Sequence, residues 1–274
     1  MTSGCHVLHL DSATRFDQHH RGQMVICGSH GGVYCAYLAA RAGLRAIILN
    51  DASGGLDRAG EGGLGYCGQL GMAAAVCGHH TARIGDGSDM AARGQISGVN
   101  DIAASLGVTI GMSVSHAAER LQQAPRWRAP IPELEETRRV VAALDGALSV
   151  VCMDSVSLVT ADDIGQIVLT GSHGGLMGGR PEAALKIDVH AAFFNDAGVG
   201  LDEAGLRRLP ALDQRDIAAA TVDAMSARIG NGLSTYEEGR LSYVNTRARH
   251  LGLAPGMTAK DAVERLHLTE SLGS

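Results

Sequence analysis

Residues 24–32 read MVICGSHGG, and residues 167–175 read IVLTGSHGG. In each stretch an apolar run leads directly into Gly-Ser-His-Gly-Gly, and 143 positions separate the two copies. A short apolar run bounded by turn residues is typical of a buried strand in a parallel sheet. We therefore predict that each copy lies at the start of a βαβ unit.

The duplication extends over most of the chain, and its offset grows from 143 to 145. The further matches include Asp-Ser at 11–12 and 154–155, Asn-Asp at 50–51 and 195–196, Ala-Arg-Ile-Gly at 82–85 and 227–230, and Val-Asn at 99–100 and 244–245. We divide the chain into a first α/β repeat over 1–123, a linker over 124–146 and a second α/β repeat over 147–274. Polar residues that both copies retain are candidates for a role in fold or chemistry.

Each repeat contains four short apolar runs that we predict as strands. They lie at 7–10, 24–27, 46–49 and 73–76, and at 150–153, 167–170, 191–194 and 218–221. Helices are predicted at 33–42, 94–106, 114–123, 181–187, 239–251 and 259–267, and in the charged linker stretch at 133–144. The predicted fold class is α/β, with two tandem homologous units whose largely parallel sheets are flanked by helices. We expect the units to be related by a pseudo-twofold axis, as the halves of an ancestral homodimer would be.

The amino-acid composition argues against some classes of binding partner. Aromatic residues make up 3% of the chain and the formal net charge is −6, which argues against modules that stack bases or bind polyanions. No apolar run approaches the ~20 residues of a membrane span, and the N-terminus lacks a leader pattern. We expect a cytoplasmic protein that binds neither a nucleic acid nor a membrane. Because the cysteines are not retained between the repeats, we expect reduced and mostly buried thiols.

Several of the retained polar residues directly follow predicted strands. Ligands of open parallel sheets bind at the carboxyl ends of the strands, so we expect a site at this edge, near the cleft between the repeats. The candidate substrate-binding residues are Asp11, Gly31, Gly32, Asn50, Arg83 and Asn100 in the first repeat, and Asp154, Gly174, Gly175, Asn195, Arg228 and Asn245 in the second. The two arginines could bind a substrate carboxylate or form internal ion pairs. Asn100 and Asn245 share a predicted helix face with Ser97 and Ser242, respectively.

Six retained residues are candidate catalytic groups: Ser29, His30, Asp51, Ser172, His173 and Asp196. A serine on a strand-to-helix turn could act as a nucleophile, with histidine and aspartate moving protons and glycine N–H groups holding an oxyanion. The same residue types also have structural roles. Serine can cap a helix, histidine can bond locally, and Asn-Asp can form an Asx turn.

Some candidate ligands occur in only one repeat. Cys67, Cys77, His79 and His80 could bind a transition metal, but their spacing matches no standard zinc motif and buried cysteines are common in such strands. Lys186 could pair with Ser172 or be an exposed helix lysine. We therefore predict no metal and no cofactor.

Together these patterns favour an enzyme, a hydrolase that cleaves an amide, lactam or ester bond of a small carboxylate-bearing metabolite. Two alternatives stay open. One is a lyase or isomerase that uses Asp and His as acid and base, and the other is a non-catalytic protein that binds an anionic metabolite. In each case the expected partner is a small anionic molecule, and we expect a homo-oligomer. The patterns permit a site in each repeat or one composite site.

Overall fold

The computed structural model describes residues 7–143 and 148–271. The first repeat forms a mixed sheet in which the strands follow one another in chain order. These strands are β1 (Val7–Leu10), β2 (Met24–His30), β3 (Ala46–Asn50), β4 (Ala73–Cys77) and β5 (Ile96–Val99). Strands β1 to β4 are parallel, and β5 pairs antiparallel with β4.

Helices cover both faces of this sheet. They are α1 (Val33–Arg41), α2 (Gly63–Leu70), α3 (Gly87–Arg93), α4 (Asp101–Ser105) and α5 (Val114–Leu121). Successive residues of a strand face opposite sides. On β2, Val25 packs in the cluster that includes α1 and α2, whereas Met24 and Ile26 pack with α3 to α5. Two covered faces explain why the strand is continuously apolar rather than alternating.

The second repeat forms a sheet that has one additional edge strand. Its strands are β6 (Arg138–Ala143), β7 (Ser149–Met153), β8 (Ile167–His173), β9 (Ala191–Asn195), β10 (Ala218–Val222) and β11 (Leu241–Val244). Strands β7 to β10 are parallel, and β6 and β11 are antiparallel at the two edges. Its helices are α6 (Arg208–Asp213), α7 (Gly232–Glu237), α8 (Thr246–His250) and α9 (Ala259–Ser271). The predicted α/β class with largely parallel sheets is confirmed.

Two backbone hydrogen bonds between the repeats are reciprocal. The Leu56 N–H donates to the Ala224 carbonyl and the Leu201 N–H to the His79 carbonyl, each at 2.8 Å. Within both pairs, equivalent positions differ by 145. A small apolar cluster lies at the same junction, formed by Ala52, Ile84, Ala197, Ala204 and Ile229. Reciprocal contacts are what a twofold relation would produce, and the pseudo-twofold axis itself stays a prediction.

The predicted linker helix at 133–144 is wrong. Residues 133–137 have no regular secondary structure, and β6 pairs antiparallel with β7. Leu144 lies outside the described residues. The charged side chains suit an edge strand, because one side of the strand remains in solvent.

Three further helix predictions are corrected. The stretches at 94–106 and 239–251 each contain a strand followed by a short helix, which begins after the capping residue Asn100 or Asn245. Ser97 and Ser242 therefore lie on strands. The stretch at 181–187 contains a short 3₁₀ helix, Pro181–Ala183, and the second repeat has no α-helix at the place of α1.

Two expectations about the whole chain can be compared with the structure. Free, buried thiols are confirmed for five cysteines, and Cys5 lies outside the described residues. Over 7–143 and 148–271, no helix has the length and apolar character needed to cross a bilayer.

The first glycine of Gly-Ser-His-Gly-Gly is required by close backbone packing. A Cβ atom on Gly28 would lie 2.4 Å from the Asp86 nitrogen, and one on Gly171 would lie 2.2 Å from the Asn231 nitrogen. These contacts join the end of β2 to the start of α3 and the end of β8 to the start of α7.

Replacing these glycines by alanine should destabilise the protein. We expect Gly28→Ala and Gly171→Ala each to lower the free energy of unfolding by about 1–3 kcal/mol or more, because the displaced atoms are backbone. Gly65→Ala is the matched control, since a Cβ there has nothing within 4 Å and alanine stabilises a helix interior by up to about 1 kcal/mol. Urea denaturation measures all three. Parent-like stability of the first two variants would contradict the close packing.

Candidate active site

A pocket of about 320 Å³ lies between the two repeats. We call it the inter-repeat pocket. Equivalent residues of both repeats line it in pairs: Ser12 and Ser155, Ser29 and Ser172, and His30 and His173. The members of each pair differ by 143 positions. The structure thus brings the paired Ser-His motifs together in one composite cavity.

The two pocket histidines are held in the same way. The Gly32 N–H donates to Nδ1 of His30 at 3.2 Å, and the Gly175 N–H donates to Nδ1 of His173 at 3.1 Å. A neutral ring whose Nδ1 accepts a hydrogen bond carries its proton on Nε2. Burial lowers the pKa of His30 to about 4. Burial, with Arg208 and His30 nearby, holds the pKa of His173 well below its ordinary value.

The glycines that follow each histidine serve this arrangement. A Cβ atom on Gly32 would lie 2.7 Å from Nδ1 of His30, and one on Gly175 would lie 3.0 Å from Nδ1 of His173. Each imidazole therefore lies against the glycine two residues later, where any side chain would collide with the ring. This packing explains why the last residue of Gly-Ser-His-Gly-Gly is glycine in both copies.

The glycine N–H groups predicted to hold an oxyanion have acceptors inside the protein. The Gly31 N–H donates to the Asn50 carbonyl at 2.7 Å, and the Gly174 N–H donates to the Asn195 carbonyl at 2.8 Å. The N–H groups of Gly32 and Gly175 bind the histidines, as described above. The predicted oxyanion site is therefore not formed by these four glycines.

Both serines line the pocket, and each accepts a hydrogen bond from a backbone N–H. Ser29 Oγ binds the Ala13 nitrogen and Ser172 Oγ binds the Val156 nitrogen, both at 2.9 Å. The thiol of Cys35 lies beside Ser29, and its Sγ is 3.8 Å from Nε2 of His30. Because Nε2 already carries a proton, His30 in this tautomer cannot take the proton of Ser29. Burial also raises the pKa of Cys35.

The structure pairs Asp51 with His79 and Ser97 rather than with His30. Asp51 Oδ1 accepts from Nδ1 of His79 and Oδ2 accepts from Oγ of Ser97, both at 2.8 Å. Burial acts to raise the pKa of Asp51, but these hydrogen bonds outweigh it and lower the pKa. Asp196 accepts from two backbone N–H groups, and burial raises its pKa. Neither aspartate lines the inter-repeat pocket.

The retained asparagines bind the backbone. Oδ1 of Asn50 and Oδ1 of Asn195 each accept from the N–H two residues later, at 2.9 Å, which is the Asx turn that the sequence allowed. Asn100 and Asn245 each accept from the start of β4 or β10 and from the first turn of α4 or α8. These four residues hold elements together and do not line the inter-repeat pocket.

Asp11 and Asp154 join a strand to a helix. Each accepts from the first residue of an α-helix in its own repeat, Gly87 of α3 at 3.3 Å or Gly232 of α7 at 3.1 Å. Asp154 also accepts from the Thr137 N–H at 2.7 Å, and it lines the inter-repeat pocket, whereas Asp11 does not.

Arg83 and Arg228 form internal ion pairs, one of the alternatives that the sequence left open. Arg83 binds Asp89 at 2.8 Å, and Arg228 binds Asp57 of the other repeat at 2.6 Å. Neither arginine lines the inter-repeat pocket, so the predicted carboxylate-binding role has no support from their position.

The cysteines and histidines of the first repeat are not gathered into a metal site. Cys67 packs on the α1 side of the sheet, whereas Cys77 packs on the opposite side. Among the described residues, no group of three or more His, Cys, Asp or Glu side chains is placed to hold an ion.

Sequence reasoning missed Glu136, which lines the inter-repeat pocket from the linker. Burial and the neighbouring Asp154 raise the pKa of Glu136 to about 7, against the opposing effect of a hydrogen bond from Ser155. Glu136 lies outside the two aligned copies, so comparison of the copies gave no signal for this residue. Its carboxyl group is poised to exchange a proton near neutral pH.

Arg208 was missed as well. Its side chain is 1% exposed and lines the pocket. Nε donates to the carbonyls of His173 and Gly175 at 3.2 and 3.1 Å, and Nη1 donates to those of Ala183 and Ala184. Burial lowers the pKa of Arg208 to about 10, so it stays charged at neutral pH. Lys186 also lines the pocket, and it donates to the Ser157 carbonyl at 3.3 Å.

No family model, no curated protein and no solved structure matches this chain. The function must therefore be inferred from the geometry of the pocket.

Acid should destabilise the protein through its buried histidines. The unfolded chain binds a proton at His30 near pH 6.5, whereas the folded chain does so only near pH 4. This contribution to stability is complete above pH 6.5 and is lost as the pH falls to about 4, by at most about 3 kcal/mol. His30→Asn retains an acceptor near the position of Nδ1 but cannot titrate, so its free energy of unfolding should vary less over this range.

The control is His116→Asn, because His116 is exposed. Urea denaturation at intervals of pH measures the three proteins. An equal pH dependence in the parent and His30→Asn would show that His30 is not held neutral.

Proposed function

We propose that the protein is an enzyme that transforms a small carbonyl-bearing anion by acid–base catalysis, as an isomerase or a lyase, in the inter-repeat pocket. One observation carries this proposal. The pocket contains a carboxyl group whose pKa lies near neutrality, Glu136, together with two imidazoles held as neutral Nε2–H donors, His30 and His173. A glutamate base combined with a neutral histidine is an effective set of groups for removing a proton next to a carbonyl.

Glu136 would act as the base. In the proposed step its carboxylate takes a proton from the carbon beside the substrate carbonyl, and the electron pair of that C–H bond forms an enolate. A pKa near 7 leaves a large ionised fraction at neutral pH and keeps the group basic enough to accept the proton. The resulting carboxylic acid can return the proton to a neighbouring carbon or to a leaving group.

His30 and His173 would stabilise the enolate oxygen. Their low pKa values exclude proton uptake at neutral pH, so they would act as hydrogen-bond donors rather than as bases. Donors fixed in advance and shielded from water lower the energy of a developing negative charge.

The hydrolase predicted from the sequence is the second candidate. The observation in its favour is that Ser29 and Ser172 both line the pocket. Against it, the imidazole next to each serine carries its proton on Nε2 and uses Nδ1 as an acceptor for a glycine N–H. No base for either serine is therefore provided by these histidines.

Further predictions from the sequence carry over as proposals. We retain the pseudo-twofold relation between the repeats, and the reciprocal contacts at their junction support it. A cytoplasmic location and a homo-oligomeric assembly stay predictions.

Replacing Glu136 by glutamine should abolish proton exchange. The parent, incubated in D₂O with a panel of short oxo acids, is expected to incorporate deuterium beside the carbonyl, at a rate that rises as the pH passes through about 7. Glu136→Gln should lower this rate by about 10²- to 10⁴-fold. Mass spectrometry of the small molecules measures it. Glu135→Gln is the matched control, because Glu135 is exposed and adjacent in the chain. Full exchange in Glu136→Gln would contradict the proposal.

Serine labelling separates the two candidate reactions. We expect the parent to form no adduct with a fluorophosphonate, because neither pocket serine has an activating base. Intact-protein mass spectrometry detects an adduct directly. Labelling that is lost in Ser29→Ala or Ser172→Ala, and retained in the other variant, would favour the hydrolase instead.

A further inference from the structure

The buried charge of Arg208 has no acidic counterpart. Each hydrogen bond described for its guanidinium goes to a backbone carbonyl oxygen, and the only ring beneath it is that of Phe194, at 5.0 Å, within the described part of the chain. Burial is the only influence that shifts its pKa, and a neighbouring carboxylate would have raised it. A buried charge is costly unless it is paired. An anion in the pocket would supply the missing partner.

Arg208 belongs to one repeat only, although the backbone is equivalent in both. The Arg208 N–H donates to the Gly174 carbonyl at 2.8 Å, and the Gly63 N–H, 145 positions earlier, donates to the Gly31 carbonyl at 2.8 Å. A Cβ atom on Gly63 would lie 2.6 Å from the Gly31 oxygen and 2.9 Å from Cβ of Ala36 in α1. Helix α1 thus excludes a side chain there. The second repeat lacks this helix, and the arginine has room.

Arg208 and Glu136 have different neighbours in the pocket. Arg208 donates to the His173 carbonyl, and both Arg208 and His30 contribute to the low pKa of His173. Nε2 of His30 lies 3.8 Å from Cys35, whose thiol is within the electrostatic influence of Glu136. Arg208 thus borders His173, whereas Glu136 lies near Cys35 of the first repeat and near Asp154 and Ser155 of the second.

We infer that Arg208 binds the carboxylate of the substrate, and that the substrate is a short carboxylic acid with a carbonyl group, bound with its carboxylate toward the second repeat and its acidic C–H toward Glu136. This inference rests on the proposed function. The other cationic groups that line the pocket, Arg15, Arg180 and Lys186, are exposed. Arg208 is distinguished from them by its complete burial.

The first test uses the unaltered protein and pairs of probes in which an uncharged amide replaces the carboxylate. Acetoacetate is compared with acetoacetamide, and pyruvate with pyruvamide, by isothermal titration calorimetry. We expect each acid to bind at least about tenfold more tightly than its amide, since a charge-assisted hydrogen bond in a buried site is lost with the charge. Equal binding within each pair would overturn the role of Arg208. Binding of no probe would overturn the substrate class.

Variants then assign the preference to a residue. Arg208→Gln should bind acid and amide about equally, and Arg208→Lys should retain part of the preference. Arg215→Gln is the matched control, because Arg215 also donates to carbonyls of the same segment, Leu185 and Ile187, and does not line the pocket. Thermal unfolding identifies variants that do not fold. An unchanged preference in a folded Arg208→Gln would overturn the inference.

Glu136→Gln separates this inference from the proposed function. The variant should lose deuterium exchange and keep the preference for acids. If the parent exchanges deuterium without preferring acids, the acid–base proposal stands and the role of Arg208 falls. If it prefers acids but does not exchange, the role of Arg208 stands and the acid–base proposal falls.

Discussion

The hydrogen bond from a glycine N–H to Nδ1 of the histidine two residues before it determines the chemistry available in the pocket. It occurs identically at His30 and His173 and assigns the ring proton to Nε2. Two properties of the imidazoles follow from this hydrogen bond. The rings can donate to an oxyanion, and they cannot accept a proton from the adjacent serine. Burial reinforces the result, because protonation at Nδ1 would cost both this hydrogen bond and the desolvation of a charge. Because neither histidine can act as a base, acid–base catalysis in this pocket needs a base from another residue.

The proposed base and the proposed counter-charge come from parts of the chain outside the symmetric pairs. Glu136 lies in the linker, and Arg208 occupies the space that α1 fills in the first repeat. The symmetric pairs therefore supply a common set of donors, whereas the unpaired residues distinguish one end of the cavity from the other. Duplication alone would give a site with two equivalent ends, on which a small asymmetric substrate could bind in either direction.

The fold was more predictable from the sequence than the site, for physical reasons that particular residues illustrate. Apolar runs such as Met24–Cys27 end at glycines that permit close backbone approach. The apolar pattern and the glycine that ends it indicate the same element, so the strands were predicted correctly. The stretch at 94–106 failed because Ile96–Val99 pairs with β4 before Asn100 caps a helix, and tertiary pairing overrides a helical pattern. In the site, retention between copies selected residues that hold the fold, such as Asn100, Asp51 and Arg83. Glu136 lies outside the aligned copies and Gly63 stands at the position of Arg208, so a comparison of copies had no means of finding either residue.

The differences between the two repeats also indicate how many active sites the chain can form. Two separate sites would require each repeat to contain its own acid–base group and its own cation, but Gly63 takes the place of Arg208 in the first repeat and one linker connects the two. The paired serines and histidines converge on one cavity at the junction, so they cannot also serve two cavities apart from it. In an ancestral homodimer the cavity would have lain across the subunit interface, with two equivalent ends. In a single chain the two ends are encoded separately and can differ. The second repeat has no α-helix at the place of α1, and Glu136 of the linker lines the cavity. Because these two differences make the ends of the cavity unequal, we expect a single orientation and one substrate per chain.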